Sequence, residues 1–189
     1  MKPGSRVLGV AESYEGGSST LAGVVATAEG RLEDFGFARC AVGGTDATAA
    51  IADLVDAVDR EDVRSVLLAG VALSWFNIVD VEGLSTAVDR PVVAVTFEES
   101  EGLEAAIREA FDDEAVVADR LERYRALPPR FRLELDGASR FLRAAGCDRD
   151  RARRTVQAAT PTGADRPEVL RVAKLAARGA DRARRRDAL

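Results

Sequence analysis

The order of its apolar segments constrains this chain more than any other feature. Three strand-like runs come first, before anything with helical spacing. Arg6-Val7-Leu8-Gly9-Val10-Ala11 reads as a buried strand, residues 20–28 as a second, and residues 31–42, with Phe35, Phe37 and Cys40, as a third. Gly16-Gly17-Ser18-Ser19 marks Glu12 to Ser19 as a loop, and Glu29-Gly30 is a hairpin signal. Three sequential antiparallel strands are therefore predicted. Gly43-Gly44-Thr45-Asp46 then breaks the pattern, and the period changes. Ala50, Ile51, Leu54 and Val58 fall at helical spacing, which predicts a helix over about residues 46–58, capped by Thr45 or Asp46.

Residues 63–69 are a short apolar run of the kind that forms a central parallel strand. A short helix over 80–88 and a strand over 91–97 follow, then helices at about 101–111 and 113–126. Asp136-Gly137 suits the turn of a hairpin made by 131–135 and 139–145. Two further helices, 148–158 and 166–186, flank Thr160-Pro161-Thr162-Gly163. Three antiparallel strands and then helix–strand–helix–strand is the element order of a ribonuclease H-like fold, although other mixed α/β folds share it. The expectation is one α/β domain over 1–189. A ribonuclease H-like core, a mixed sheet flanked by helices, occupies 1–126, and an arginine-rich hairpin with helices occupies 127–189.

Composition removes several functions. There is no histidine, which excludes Ser-His-Asp and Cys-His catalysis and histidine metal ligation. Cys40 and Cys147 are too few for a zinc cluster or a disulfide framework, and free thiols in a reducing cytosol are the simple reading. No apolar run approaches the roughly 20 residues of a membrane helix, and Met1 to Ser5 has no apolar signal core. A cytoplasmic protein without a membrane partner is expected. Charge is segregated: residues 1–119 hold 23 acids and 8 bases, residues 120–189 hold 9 acids and 19 bases. Of the bases only Lys2 and Lys174 are lysine. Such asymmetry permits contact with DNA or RNA.

Three stretches carry a family resemblance. They are Val7-Leu8-Gly9-Val10-Ala11-Glu12-Ser13-Tyr14, then Leu67 to Ala72 running into Trp75-Phe76-Asn77-Ile78-Val79-Asp80, then Arg166-Pro167-Glu168 through Ala176. Gly43-Gly44-Thr45-Asp46-Ala47-Thr48 fits as well. In this order they resemble the archaeal domain-of-unknown-function family ninety-nine, whose members are similar to endonuclease V. The resemblance implies a ribonuclease H-like core and a link to metal-dependent cleavage of DNA near deaminated bases such as uracil or hypoxanthine. That chemistry needs carboxylates converging on magnesium or manganese. In the family pattern one carboxylate lies on the first strand, in a Gly-Val-Asp-Asp type motif. Another ends the fourth strand, in an Asp-Gly motif. Here those positions are Ala11, followed by Glu12, and Ala69, followed by Gly70. The usual histidine of the third motif is Lys174.

Glu12 and Asp80 are the candidate catalytic and metal-ligating residues. Glu12 follows a buried strand, where function in α/β sheets concentrates. Asp80 follows the aromatic segment; it also suits a helix cap, as does Asp46. Glu98 and Glu99, after strand 91–97, are further carboxylates or a solvated turn. Tyr14 and Trp75 suit base stacking or packing. Asn77 suits a base edge or phosphate, or a loop brace. On the last helix Arg171, Lys174, Arg178, Arg182 and Arg185 recur every three or four residues, a basic stripe that suits a phosphate track or a solvated face. Two functions remain open: a metal-dependent endonuclease using magnesium or manganese, or a domain that has lost catalysis and needs no cofactor but still binds nucleic acid or a protein.

Overall fold

The computed structural model describes residues 5–27, 29–99 and 101–187, without the side chains of Arg185 and Asp187. The first three strands, β1 (Arg6–Glu15), β2 (Ser18–Thr27) and β3 (Leu32–Ala41), form the expected antiparallel meander. Then come α1 (Ala47–Val58), β4 (Val63–Leu68), the short pair β5 (Ala72–Leu73) and β6 (Asn77–Ile78), and α2 (Val81–Ala87). The chain continues with β7 (Val92–Thr96), α3 (Glu104–Ala110), α4 (Glu114–Arg125), β8 (Phe131–Leu135), β9 (Ala138–Ala145), α5 (Arg149–Ala158) and α6 (Glu168–Asp187). Seven strands make one sheet in the order β3-β2-β1-β4-β7-β9-β8. β1, β4 and β7 are parallel neighbours, as buried crossovers through α1 and α2 require. The β8–β9 hairpin adds to that same sheet, with β9 antiparallel to β7.

Alternation along the strands divides the core. Leu8, Val10, Leu21, Val66 and Leu68 face α1 and α2, where they meet Ile51, Leu54 and Leu84. Val7, Leu67, Val93 and Val95 face the opposite side, against Val156 of α5 and Val169 and Leu170 of α6. This is a ribonuclease H-like mixed sheet flanked by helices.

Two local expectations change. Glu12 to Glu15 is strand, not loop: Glu12 pairs with Leu21, Ser13 with Thr20, Tyr14 with Ser19 and Glu15 with Ser18. Backbone pairing is indifferent to the polar side chains that made this stretch look like a loop. The turn is only Gly16-Gly17, and Gly16 takes φ 75°, which a side chain would resist. Asp46 stands at the start of α1 but makes no side-chain cap. Its carboxylate instead accepts from the Ala41 amide, at 3.0 and 3.1 Å, and from Asn77 Nδ2 at 2.7 Å.

Candidate nucleic-acid interface

β1 runs past the end of β4, and this overhang creates the site. Ala69, just beyond β4, still donates its amide to Val10 at 3.0 Å, but Glu12 has no β4 residue beside it. A groove of about 510 Å³ opens there, lined among others by Glu12, Ala69, Phe97, Glu98, Arg166 and Lys174. Strand ends supply the first four; the start of α6 and the loop before it supply the cations.

Under the groove the packing is unusually close. α6 lies so near β1 that a Cβ added to Gly9 would stand 2.6 Å from Val169 Cβ and 2.7 Å from the Val169 carbonyl carbon. Ala11, fully buried, packs with Val24 and Ala173, and Ala69 and Val172 close the cluster. The two positions at which the resemblance expects carboxylates therefore meet at a small apolar floor, with Ala11 buried under α6 and Ala69 partly open to the groove. Adjacent parallel strands bring Ala11 and Ala69 together as expected, but what they face is Ala173.

Glu12 stands at the rim of this floor. Lys174 Nζ donates to the Glu12 carbonyl at 2.6 Å and lies 3.4 Å from Glu12 Oε1, while Ser19 Oγ donates to Oε2 at 3.3 Å. An ammonium group thus sits against the Glu12 carboxylate. Around it, Arg166 stacks over the Phe97 ring at 4.9 Å and pairs with Asp165 at 3.0 Å. Arg166 draws the Asp165 carboxyl below its ordinary range. Arg171 makes two bonds to Glu168, at 2.6 and 2.8 Å, and lowers that carboxyl likewise. Arg178 and Arg182, farther along α6, are exposed and have no ion-pair partner among the described residues. The Arg185 side chain lies outside the described residues.

The remaining candidates lie elsewhere. Asp80 is not brought into the groove with Glu12. It caps α2, accepting from the Gly83 amide at 2.9 Å, and its own amide donates to Thr48 Oγ1. Asn77 is fully buried and braces the loop: it accepts from the Ala47 amide and donates to the Ala41 carbonyl and to Asp46. Tyr14 is exposed on the overhang of β1. Trp75 is exposed on the β5–β6 loop. Sequence reasoning missed Arg166 and Phe97 as groove residues. Their signals were weak: a cation before Pro167 at a helix start, and an aromatic closing a strand.

Magnesium or manganese fits this site poorly. Two carboxylates line the groove, one of them held by Lys174, and among the described residues no three of His, Cys, Asp or Glu gather as a ligand group. Magnesium is held by one or two carboxylates with waters and substrate phosphates, and here Lys174 already holds one of the two.

Comparison with known proteins gives a consistent result. A UPF0215 protein of Pyrobaculum aerophilum is 39% identical over 174 residues, 90% of this chain and 91% of that one. A UPF0215 protein of Thermococcus kodakarensis is 32% identical over 188 residues, covering 94% and 92%. Among solved structures, a protein of unknown function from Archaeoglobus fulgidus superimposes with a TM-score of 0.81 at 24% identity, over 93% of this chain and 98% of that one. Endonuclease V of Bacillus subtilis gives 0.63 at 10% identity, over 97% and 82%. Endonuclease V of Ciona intestinalis, in complex with a 24mer DNA containing an inosine followed by a ribo-adenosine, gives 0.60 at 13%, over 93% and 85%. At these identities the structural likeness is one of fold, an endonuclease V-like nuclease fold. The sequence profile described as endonuclease dU matches residues 3–180, and the chain belongs to that family.

Proposed function

We propose that this protein is a nucleic-acid-binding member of its nuclease family that has lost metal-dependent hydrolysis. One observation carries the reading: Ala11 is buried against Ala173, Ala69 beside it lines the groove with no ligating group, and Lys174 holds Glu12. Alanine can neither ligate a metal nor accept a proton. The Lys174 ammonium on Glu12 brings to the rim the positive charge a metal would bring. It cannot activate water as a metal does, but it can hold a phosphate oxygen. The fold and the exposed cations Arg178 and Arg182, without an ion-pair partner among the described residues, support a DNA or RNA backbone as ligand. Residues 1–126 and 127–189 act as one unit, since Glu12 and Phe97 meet Arg166 and Lys174 in one groove. A nucleic-acid ligand and two unpaired thiols suit a cytoplasmic location.

Family membership favours a second reading, cleavage of uracil- or hypoxanthine-containing DNA with magnesium or manganese. Glu12, Glu98 and Asp80 would then have to form the site, with Asp80 released from its cap.

Binding is tested by fluorescence polarisation of an end-labelled oligonucleotide across a salt series. Affinity is expected to fall steeply with salt, because phosphate contacts release counterions. Arg178→Ala with Arg182→Ala is expected to flatten the log–log slope by roughly 1.4 to 1.8. Arg171 is a weaker choice, since Glu168 already neutralises it. No binding at low salt would overturn the proposal.

A further inference from the structure

Three consecutive residues between β5 and β6 stand in the left-handed region: Ser74 at φ 45°, Trp75 at 63° and Phe76 at 56°. Bulky side chains rarely adopt this conformation, and a run of three is costly unless surrounding structure enforces it. The enforcement is visible. Gly43 donates its amide to the Ser74 carbonyl at 2.7 Å. The buried Arg120 donates to the Gly43 carbonyl at 2.8 Å from behind. Asn77, fully buried, ties the loop to Ala41, Asp46 and Ala47. Phe76 turns inward, edge-on to Phe111 at 6.0 Å.

The yield of this scaffolding is a tryptophan held outward. Trp75 remains 48% exposed, with Phe76 meeting it edge-on at 5.8 Å. Gly43 lies under one edge of the indole, where a Cβ would come within 3.6 Å of Trp75 Cδ1. An indole that contributes little to the core has no folding reason to be displayed on a strained, braced loop. Strain of this kind concentrates where a ligand is met.

The loop is also tied to Glu12 through the interior. Ser74 Oγ lies 3.6 Å from Cys40 Sγ, Cys40 pairs in register with Ser19, and Ser19 Oγ donates to Glu12. Glu12 in turn meets Lys174. Ser74, Cys40 and Ser19 are buried, so this link fixes the loop's position relative to Glu12 from inside the sheet.

We propose that Trp75 is a stacking platform for an unpaired nucleobase, of DNA or RNA. The inference rests on the nucleic-acid reading above and adds the class of subsite. Stacking accepts any base, because every base has a π-face. A base within an intact duplex has its faces covered by its neighbours, so single strands are preferred over duplex.

Trp75 is the chain's only tryptophan, so its emission reports on this position alone. The native protein is titrated with a single-stranded oligonucleotide and with the same backbone carrying abasic sugars. Polarisation of end-labelled copies of both reports binding independently. Base-bearing strands are expected to quench the indole, and abasic strands to bind about tenfold more weakly without quenching. Trp75→Ala is expected to lose about tenfold in affinity with an unchanged salt slope, since no phosphate contact is removed. Trp75→Phe is expected to keep most of the affinity, which separates stacking from misfolding. Binding by polarisation without quenching, with Trp75→Ala binding as tightly as native, would overturn the platform and leave the nucleic-acid reading standing. No binding at low salt would overturn both.

Discussion

The two faces of the sheet are packed in different ways. On the α1–α2 side, large branched residues fill the space: Leu8, Leu21, Ile51, Leu54 and Leu68. Under α6 beside the groove, glycine and alanine do: Gly9, Ala11, Ala69 and Ala173. The first face is an ordinary core, in which side chains set the spacing. In this patch of the second face α6 lies close to β1 at Gly9 and Ala11, although the rest of that face carries Val7, Leu67, Val93 and Leu170. Of the two positions at which the resemblance expects carboxylates, α6 covers Ala11, while Ala69 borders the groove.

The largest effect is expected from forcing charge into that patch. Ala11→Asp with Ala69→Asp buries one charge under α6 beside a second at the groove, and should destabilise the protein by about 3 kcal/mol in metal-free buffer. Manganese should return part of this loss, since a ligand at 100 times its Kd adds about 2.7 kcal/mol. Urea unfolding with and without the ion checks both. Full stability without metal would show that α6 does not cover Ala11 as described here.

Truncation on the other face is next. Leu54→Ala should cost about 2–5 kcal/mol, the range for a buried leucine with partial collapse of the cavity. The glycines then compare the faces directly. Gly9→Ala drives a methyl against Val169 Cβ and backbone, and about 1–3 kcal/mol is expected. Gly23→Ala meets Leu54 Cδ2, the end of a flexible side chain, and should cost less. Equal costs would remove the contrast.

The smallest effect tests a surface network far from the groove. Arg6, Arg31 and Arg60 hydrogen-bond Glu33 and hold its carboxyl at about 2, against an ordinary value of 4.5. A depressed carboxyl stabilises above its unfolded value, and that contribution fades as pH falls from about 4.5 towards 2. Glu33→Gln should therefore flatten this part of the acid-side decline, measured as melting temperature against pH.

Much of this fold was legible because its signals are local. Glycine turns, apolar runs and helix-spaced apolar residues gave the meander, the βαβ crossovers and the Asp136-Gly137 hairpin. Glu12 to Glu15 was misread because its partner strand, not its polarity, makes it a strand. Attachment of the hairpin to β7 was not legible, since nothing within 131–145 names the neighbour. The loss of the two carboxylates was visible once the motifs were aligned by resemblance. The Lys174–Glu12 contact was not, because it joins residues 162 positions apart. Nor does any local pattern announce three left-handed residues at 74–76, which are imposed by Gly43, Arg120 and Asn77 from elsewhere in the chain.

The central claim is binding without metal-dependent cleavage, and one paired measurement tests it most directly. The native protein is incubated with uracil- and hypoxanthine-containing DNA in magnesium and in manganese, while polarisation follows binding and a gel follows strand nicking in the same samples. The account predicts salt-sensitive binding with no nicking above the metal-free control. Robust metal-dependent nicking by the native chain would contradict it, and would place a working metal site somewhere other than the floor formed by Ala11 and Ala69.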